Sequence, residues 1–241
     1  HFWAPDAYDG APISVAAYLS VITKVAAVFA FAQVLRDLPV DSSWPLVIAM
    51  IAAVTMTYGY LAAVVQTNMV RLIAYSSVAQ SGYFLLGIVA LGVSPLALPS
   101  LIVMGAAYVA MNLGAFGIVL LVGRNLDDFR GFGRQRPLAG VAMVVFLLSL
   151  AGIPPLFGFV GKVYLFGAAI EAGYLWLALI GIANSVLGLG VYLRIMVPMY
   201  QAAAAGDDGS IKAPSAALMA VIAVAAIVTL GMGLFAGYLP G

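Results

Sequence analysis

Two lysines stand where a charged side chain is costly. Lys24 lies eleven residues from either end of the apolar stretch 13–35. Lys162 falls inside the stretch 139–170, beyond Pro154-Pro155 and among Gly158, Gly161 and Gly167. Stretches of this length can cross the ~30 Å of hydrocarbon in a bilayer. A lysine near the middle of such a helix costs about 2.5–3.5 kcal/mol on insertion scales. An amine held away from water also gives up its proton more readily than one in solvent, so the cost comes with a chemistry: reversible proton binding. Two such amines could be stations on a proton path. The rival account is that each lysine snorkels to a headgroup or pairs permanently with an acid. Snorkelling fits Lys24 poorly at mid-span, and the acidic residues fall in loops or at span ends. Arg71 and Arg194 do lie near span ends, where an apolar stem can follow the helix while the head reaches water.

Other apolar stretches carry polar residues at helical spacing. The stretch 70–92 holds Tyr75, Ser76, Ser77, Gln80, Ser81 and Tyr83, with Ser76–Gln80 and Ser77–Ser81 each four apart and so on shared faces. Tyr108 and Asn112 share a face of 99–122, and Asn184, Gly188 and Tyr192 share one of 174–197. Such faces could hold water between helices and carry protons. Tyr75, Ser77, Gln80, Tyr108, Asn112 and Asn184 are the candidate members of a hydrated path. Small and polar residues also pack helices together in lipid, and for any single one of these residues packing is the simpler account.

The elements that must position these groups follow from composition. Of 241 residues 65% are hydrophobic and only 8% charged, and the mean hydropathy is +1.13. A soluble surface needs about three times that share of charge, so the solvent is lipid. Seven stretches are long enough to span: 13–35, 44–65, 70–92, 99–122, 139–170, 174–197 and 215–238. The fifth is broken by Gly152-Ile153-Pro154-Pro155, where two prolines remove two amide donors. Open backbone at that depth is tolerated only inside protein or beside a wet cavity, so two half-helices are expected there. With residue 1 placed on one side, seven crossings put Arg71, Arg124, Arg130, Arg134, Arg136, Arg194 and Lys212 on that side and only Arg36 on the other. The bias makes the first side cytoplasmic. The loop Arg124–Arg136 reads as a solvated basic surface or a subunit contact.

Cysteine is absent and the only histidine is His1. Disulfides, iron–sulfur clusters, thiolate metal sites and histidine-held haem therefore have no ligands in this chain, and no cofactor is expected. A net charge of +1 gives no argument for nucleic acid. Phosphate loops, nucleophile elbows and metal-ligand spacings are not found; the glycines from Gly181 to Gly190 lie in an apolar span and read as packing sites. The start at His1-Phe2-Trp3 reads as a cut within a longer subunit.

Several runs carry a resemblance. His1-Phe2-Trp3-Ala4-Pro5-Asp6-Ala7-Tyr8-Asp9-Gly10-Ala11-Pro12 resembles the start of the eighth membrane helix of the subunit N family of proton-translocating NADH-quinone oxidoreductase (respiratory complex I). The run Arg71–Tyr83 is similar to that family's tenth helix, Asn112-Leu113-Gly114-Ala115-Phe116 to its eleventh, and Ser149–Lys162 to its broken twelfth. The resemblance runs in order through nearly the whole chain. It implies an all-α polytopic membrane protein, residues 1–241 forming one membrane domain that is the C-terminal portion of a larger subunit. That portion covers the second inverted repeat of an antiporter-like fold plus flanking helices. Lys24 then corresponds to the central-axis lysine of helix eight, and Lys162 to the lysine of helix twelve in the outward half-channel. Many relatives carry histidine where this chain has Gln80; glutamine can bind water but does not titrate. Tyr8-Asp9-Gly10-Ala11-Pro12 favours the N type over the sister M and L types, and Lys162 disfavours M, which tends to an acid there.

The resemblance implies proton translocation coupled to quinone reduction elsewhere in the complex, with no redox chemistry in this chain. It places the chain in an energy-transducing membrane, the bacterial inner membrane, beside other complex I membrane subunits. Two alternatives stay open: a subunit of a multisubunit Mrp-type cation/proton antiporter, and a structural membrane scaffold in which neither lysine works.

Overall fold

The computed structural model describes residues 3–38, 43–202 and 214–235, and these are almost wholly helical. In chain order the helices are α1 (Trp3–Gly10), α2 (Ile13–Leu35), α3 (Trp44–Val64), α4 (Met69–Val89), α5 (Ala97–Val122), α6 (Pro137–Ala151), α7 (Phe157–Glu171), α8 (Leu175–Met199) and α9 (Ala216–Phe235). Six of them, α2 to α5 with α8 and α9, are long and apolar enough to cross a membrane. The seventh expected span is the pair α6 and α7, split at the predicted break.

Local chemistry sets the boundaries. Pro45 and Pro137 occupy the first turns of α3 and α6, where a missing N–H costs nothing. Asn68 caps α4, its side chain accepting from the amides of Val70 (2.9 Å) and Arg71 (3.1 Å). Gly152 ends α6 at φ +87°, a left-handed conformation that glycine adopts without penalty. The α2 helix is locally unwound into a π-helical turn over Leu19–Thr23, immediately before Lys24. Such turns often mark functional positions.

Burial divides the helices by role. Nearly every residue of α4 is buried, so it is the central helix, with α3, α5, α7 and α8 around it. The outward faces of α3 and α9 are apolar, with Leu46, Met50, Val54, Val224, Ile227 and Leu234 exposed. That suits contact with lipid tails.

Three sequence expectations are refined. First, the opening motif does not begin the helix that carries Lys24. It forms α1, separated from α2 at Ala11-Pro12, because the residue before a proline is pushed out of the helical region. The α1 helix lies antiparallel against α4: Asp9 meets Asn68 at the start of α4, and Asp6 meets Arg71 three residues farther along it. Second, the loop Arg124–Arg136 is only partly a solvated surface. Arg130, Arg134 and Arg136 are exposed, but a 3-10 turn (Leu126–Phe129) and a helical turn (Phe132–Gln135) bury Phe129 and Phe132. Third, Arg71 is ion-paired rather than snorkelling. Its Nη1 lies 2.7 Å from Asp6 Oδ1 and 3.6 Å from Asp9 Oδ2. Arg194 donates to the Gln66 carbonyl (3.3 Å), so Arg71, Arg124 and Arg194 gather at one end of the bundle. His1 and Lys212, used in assigning sides, lie outside the described residues.

Candidate functional site

Lys24 is half-buried, its ammonium donating to both the carbonyl and the hydroxyl of Ser77 on α4. The Ser77 hydroxyl is in turn 2.6 Å from the Tyr108 hydroxyl of α5, and the Lys24 Nζ lies 5.4 Å from the centre of the Tyr108 ring. Tyr8 of α1, 1% exposed, stands beside the lysine with its ring edge-on to Phe116 at 6.4 Å. Burial pushes the Tyr8 phenol up to about 12, so it stays protonated at physiological pH. A groove of about 590 Å³ opens beside the lysine, and Tyr8, Thr23, Ser81, Phe31 and Ile88 contribute to its walls.

Lys162 is 2% exposed and sits at the helix break. Its ammonium donates to the Ala151 carbonyl (2.8 Å) and the Ser185 hydroxyl (3.0 Å) and lies 4.2 Å from the centre of the Tyr83 ring. Ala151 is the last residue of α6, so the charge rests at the negative end of a helix dipole. The break is built to accept this side chain. A Cβ on Gly152 would lie 2.7 Å from Lys162 Cδ, so only glycine leaves room for the stem as well as tolerating the backbone angle. The start of α7 is tied to the end of α6 by Ser149, whose hydroxyl accepts from the Gly158 amide at 2.9 Å.

Hydroxyls and one amide fill the space around α4 on the Lys162 side. Gln80 donates to the Tyr60 hydroxyl (3.2 Å) and to the Leu150 carbonyl (3.0 Å), next to the carbonyl that holds Lys162. Its Oε1 is buried without a partner. Tyr83 donates to the Gly181 carbonyl (2.8 Å) and lies 2.9 Å from Ser185 Oγ. Ser76 lies 2.5 Å from the Tyr192 hydroxyl, and the Tyr60 ring stands edge-on to both Tyr83 and Tyr192.

The predicted path residues therefore separate. Ser77 and Tyr108 join Lys24, and Gln80 joins the group around Lys162. The other three do not meet either lysine. Asn112 donates to Ser20 (2.7 Å), tying α5 to α2. Asn184 donates to Thr57 (3.1 Å) and to the Ile180 carbonyl (3.0 Å), tying α8 to α3. Tyr75 is half-buried near Arg71 with its ring against Tyr58. Sequence reading passed over Tyr8, Tyr60, Ser185 and the Ala151 carbonyl. Helical spacing within 44–65 and 174–197 could have marked Tyr60 and Ser185; a backbone carbonyl leaves no trace in residue type.

Among the described residues neither lysine has a carboxylate partner. Each charge is held by carbonyl and hydroxyl oxygens and an aromatic face. These contacts can solvate an ammonium, yet none is a fixed counter-charge that would lock it. The arrangement suits amines that gain and lose protons.

Known proteins share this architecture. A family profile described as "NADH:quinone oxidoreductase/Mrp antiporter, TM" matches residues 1–188. The NADH-quinone oxidoreductase subunit N of Bdellovibrio bacteriovorus is 39% identical over 242 residues, covering 96% of this chain and 50% of that protein. Subunit N of Trichlorobacter lovleyi is 42% identical over 214 residues, covering 83% of this chain and 42% of that one. The chain thus spans about half the length of the curated relatives it matches. A chain of respiratory complex I from Thermus thermophilus superposes with a TM-score of 0.86 at 30% identity, over 98% of this chain and 53% of that one. A chain of the Mrp complex from Dietzia gives 0.84 at 25%, over 99% and 53%. With the broken span, the central α4 and the two lysines as its internal features, the chain belongs to the antiporter-like membrane subunit family of NADH:quinone oxidoreductases and Mrp antiporters.

Proposed function

We propose that this chain carries protons across the membrane as the C-terminal portion of a subunit N of NADH-quinone oxidoreductase, driven by quinone reduction elsewhere in the complex. The observation that carries the reading is the pair of mid-membrane lysines on two sides of α4, each held without a carboxylate. Lys24 exchanges a proton through Ser77 and Tyr108. Lys162 exchanges one through Ser185 and the opened backbone at Ala151, toward the outward side. Gln80 stands beside the Lys162 group, and its free Oε1 suits a bound water. The arginine-rich end faces the cytoplasm, and other membrane subunits of the complex flank the chain in a bacterial inner membrane.

The test is proton pumping by the purified, reconstituted complex carrying Lys162→Met, at matched assembly and electron transfer. A fall in protons moved per electron supports the reading. Unchanged pumping per electron removes Lys162 from the path. The similarity to the Dietzia Mrp complex keeps one other reading alive, a cation/proton antiporter subunit. Sodium-dependent proton exchange without any quinone-linked activity would favour it.

A further inference from the structure

The residues just before Lys24 are not in ordinary α-helix. Leu19–Thr23 form a π-helical turn, whose backbone bonds span one residue more than those of an α-helix. Such a turn holds one residue too many for the regular helix on either side of it. The surplus residue cannot vanish from an otherwise continuous helix. It can only migrate along α2, and every residue that the turn passes rotates by about 100°. A turn moved past residue 24 would carry the lysine off Ser77. The place of the turn is therefore part of the Lys24 site.

Two hydroxyls within the turn bind its own backbone: Ser20 donates to the Ala17 carbonyl (2.8 Å), and Thr23 donates to the Leu19 carbonyl. Ser20 is also held from outside the helix. It is fully buried, and its oxygen accepts from the side-chain amide of Asn112 on α5 at 2.7 Å. A hydroxyl that gives its hydrogen to one partner keeps lone pairs for another, so the two bonds of Ser20 form together without competing. Asn112 is 1% exposed, so neither partner can exchange this bond for one to solvent.

Asn112 belongs to a face of α5 that follows α2 in order. Tyr108, four residues before it, has its ring centre 5.4 Å from the Lys24 ammonium. Gly105, three residues earlier again, faces Val25 and Phe29, where an added Cβ would lie 3.7 Å from each side chain. The two helices thus run antiparallel, and α5 meets Ser20, then Lys24, then Val25 and Phe29. The contacts at Gly105 are ordinary packing, which tolerates small rotations. The Asn112–Ser20 bond is directional and weakens steeply when its geometry is disturbed.

We infer that Asn112 is a positioning residue of the Lys24 site: by holding Ser20 it pins the π-helical turn of α2 in the place that points Lys24 at Ser77. This inference rests on the proposed role of Lys24 as a proton station. Asn112 acts through Ser20 and the backbone that follows it, while Tyr108 on the same face of α5 binds the Ser77 hydroxyl that receives the ammonium.

The experiment determines structures of the assembled complex carrying Asn112→Leu or Ser20→Ala and measures protons moved per electron by each after reconstitution. Leucine is close to asparagine in shape and removes the donor. Alanine removes the acceptor with a smaller change, which covers the case in which Asn112→Leu assembles poorly. Both variants should show the turn displaced from Leu19–Thr23 and the Lys24 ammonium away from the Ser77 oxygens. Protons per electron should fall by about twofold or more at matched electron transfer, since small misplacements of a reacting group are costly. The double variant should fall no further than the lower single, because both substitutions break one bond. A turn and a lysine that stay in place in both variants overturn the inference, even where thermal stability drops, because a drop in stability alone is what plain helix packing predicts. Lys24→Met separates the two levels. If it lowers pumping while the variants leave the lysine in place, this inference alone falls. If the variants displace the lysine and Lys24→Met pumps fully, Asn112 holds the site as inferred and the reading of Lys24 as a proton station falls.

Discussion

Ser76 and Ser77 are consecutive in α4, yet their hydroxyls serve two different clusters: Ser76 meets Tyr192 of α8 at 2.5 Å, and Ser77 meets Tyr108 of α5 at 2.6 Å and Lys24 of α2. Successive helical residues point about 100° apart, so one turn of the central helix presents a hydroxyl to each lysine's surroundings. The α4 helix is a divider with polar groups on both faces. Any transfer between the two lysines has to pass around or along it.

That division predicts which substitutions interact. Ser77→Ala removes a hydroxyl that contacts Lys24 directly, so its effect on coupled turnover should overlap with that of Lys24→Met and fail to add. Ser76→Ala takes one partner from Tyr192, which keeps its ring contact with Tyr60, and should add to Lys24→Met. The measurement is a pair of double-mutant cycles on coupled turnover. An interaction of about 0.5 kcal/mol or more is expected for the first cycle and none for the second. Equal coupling in both would mean that α4 does not separate the clusters.

Gln80 supplies a prediction about pH. It bridges Tyr60 and the Leu150 carbonyl and keeps Oε1 free in a buried place, where an unpaired polar atom costs about 1–3 kcal/mol. An imidazole at this position can replace one of the two donated bonds and adds a proton-binding group that titrates near pH 6.5 in water. Gln80→His should assemble and should introduce a new limb in the pH profile of coupled turnover that wild type lacks. Gln80→Leu should assemble less well and show no such limb. If Gln80→His and wild type share one profile between pH 5.5 and 8, the bridge carries no protons.

The helix break gives the sharpest steric prediction. Gly152→Ala must accommodate both φ +87° and a Cβ placed 2.7 Å from Lys162 Cδ. The backbone penalty alone is about 1–2 kcal/mol, and the lysine must leave its seat on the Ala151 carbonyl. Asparagine tolerates left-handed backbone, so Gly152→Asn relieves the first problem and keeps the second. Thermal unfolding of the solubilised complex should therefore rank wild type above Gly152→Asn above Gly152→Ala, while coupled pumping should fall in both variants. Normal pumping by Gly152→Asn would show that the stem of Lys162 does not need that space.

Much of this was legible in the residues, for definable reasons. Spans announce themselves by apolar length, and Pro154-Pro155 announces a break because proline cannot continue a helix. Lys24 and Lys162 stand out because nothing else charged lies so far from a span end. What could not be read is whatever depends on contacts between distant segments. Ser185 looks like any small residue of α8 until the fold brings it 3.0 Å from Lys162, 23 residues away in sequence. Asn112 and Asn184 look like path residues at helical spacing, but each spends its amide on tying two helices together. Tyr8 sat in plain view within a run taken as a helix start. Only the turn at Pro12 lays α1 back against α4 and brings Tyr8 to the wall of the groove beside Lys24.

The same turn makes α1 depend on charge, and this can be tested apart from transport. Asp9 meets Arg71 at 3.6 Å and Arg124 at 3.4 Å, with its side chain about a third exposed, while Arg124 also holds the Asp9 and Ala11 carbonyls. Asp9→Asn keeps a side-chain acceptor for Asn68 and removes the charge that faces two guanidinium groups. Partly exposed pairs of this kind contribute about 0.2–1 kcal/mol and are screened by salt. Unfolding of the solubilised complex in low salt should show Asp9→Asn below wild type by an amount in that range, and the gap should close as NaCl rises toward 1 M. A gap that stays constant with salt would mean that Asp9 acts through its hydrogen bonds alone. In that case α1 would be held by Asn68 and the Arg124 contacts to backbone carbonyls, and its seat against α4 would not vary with ionic strength.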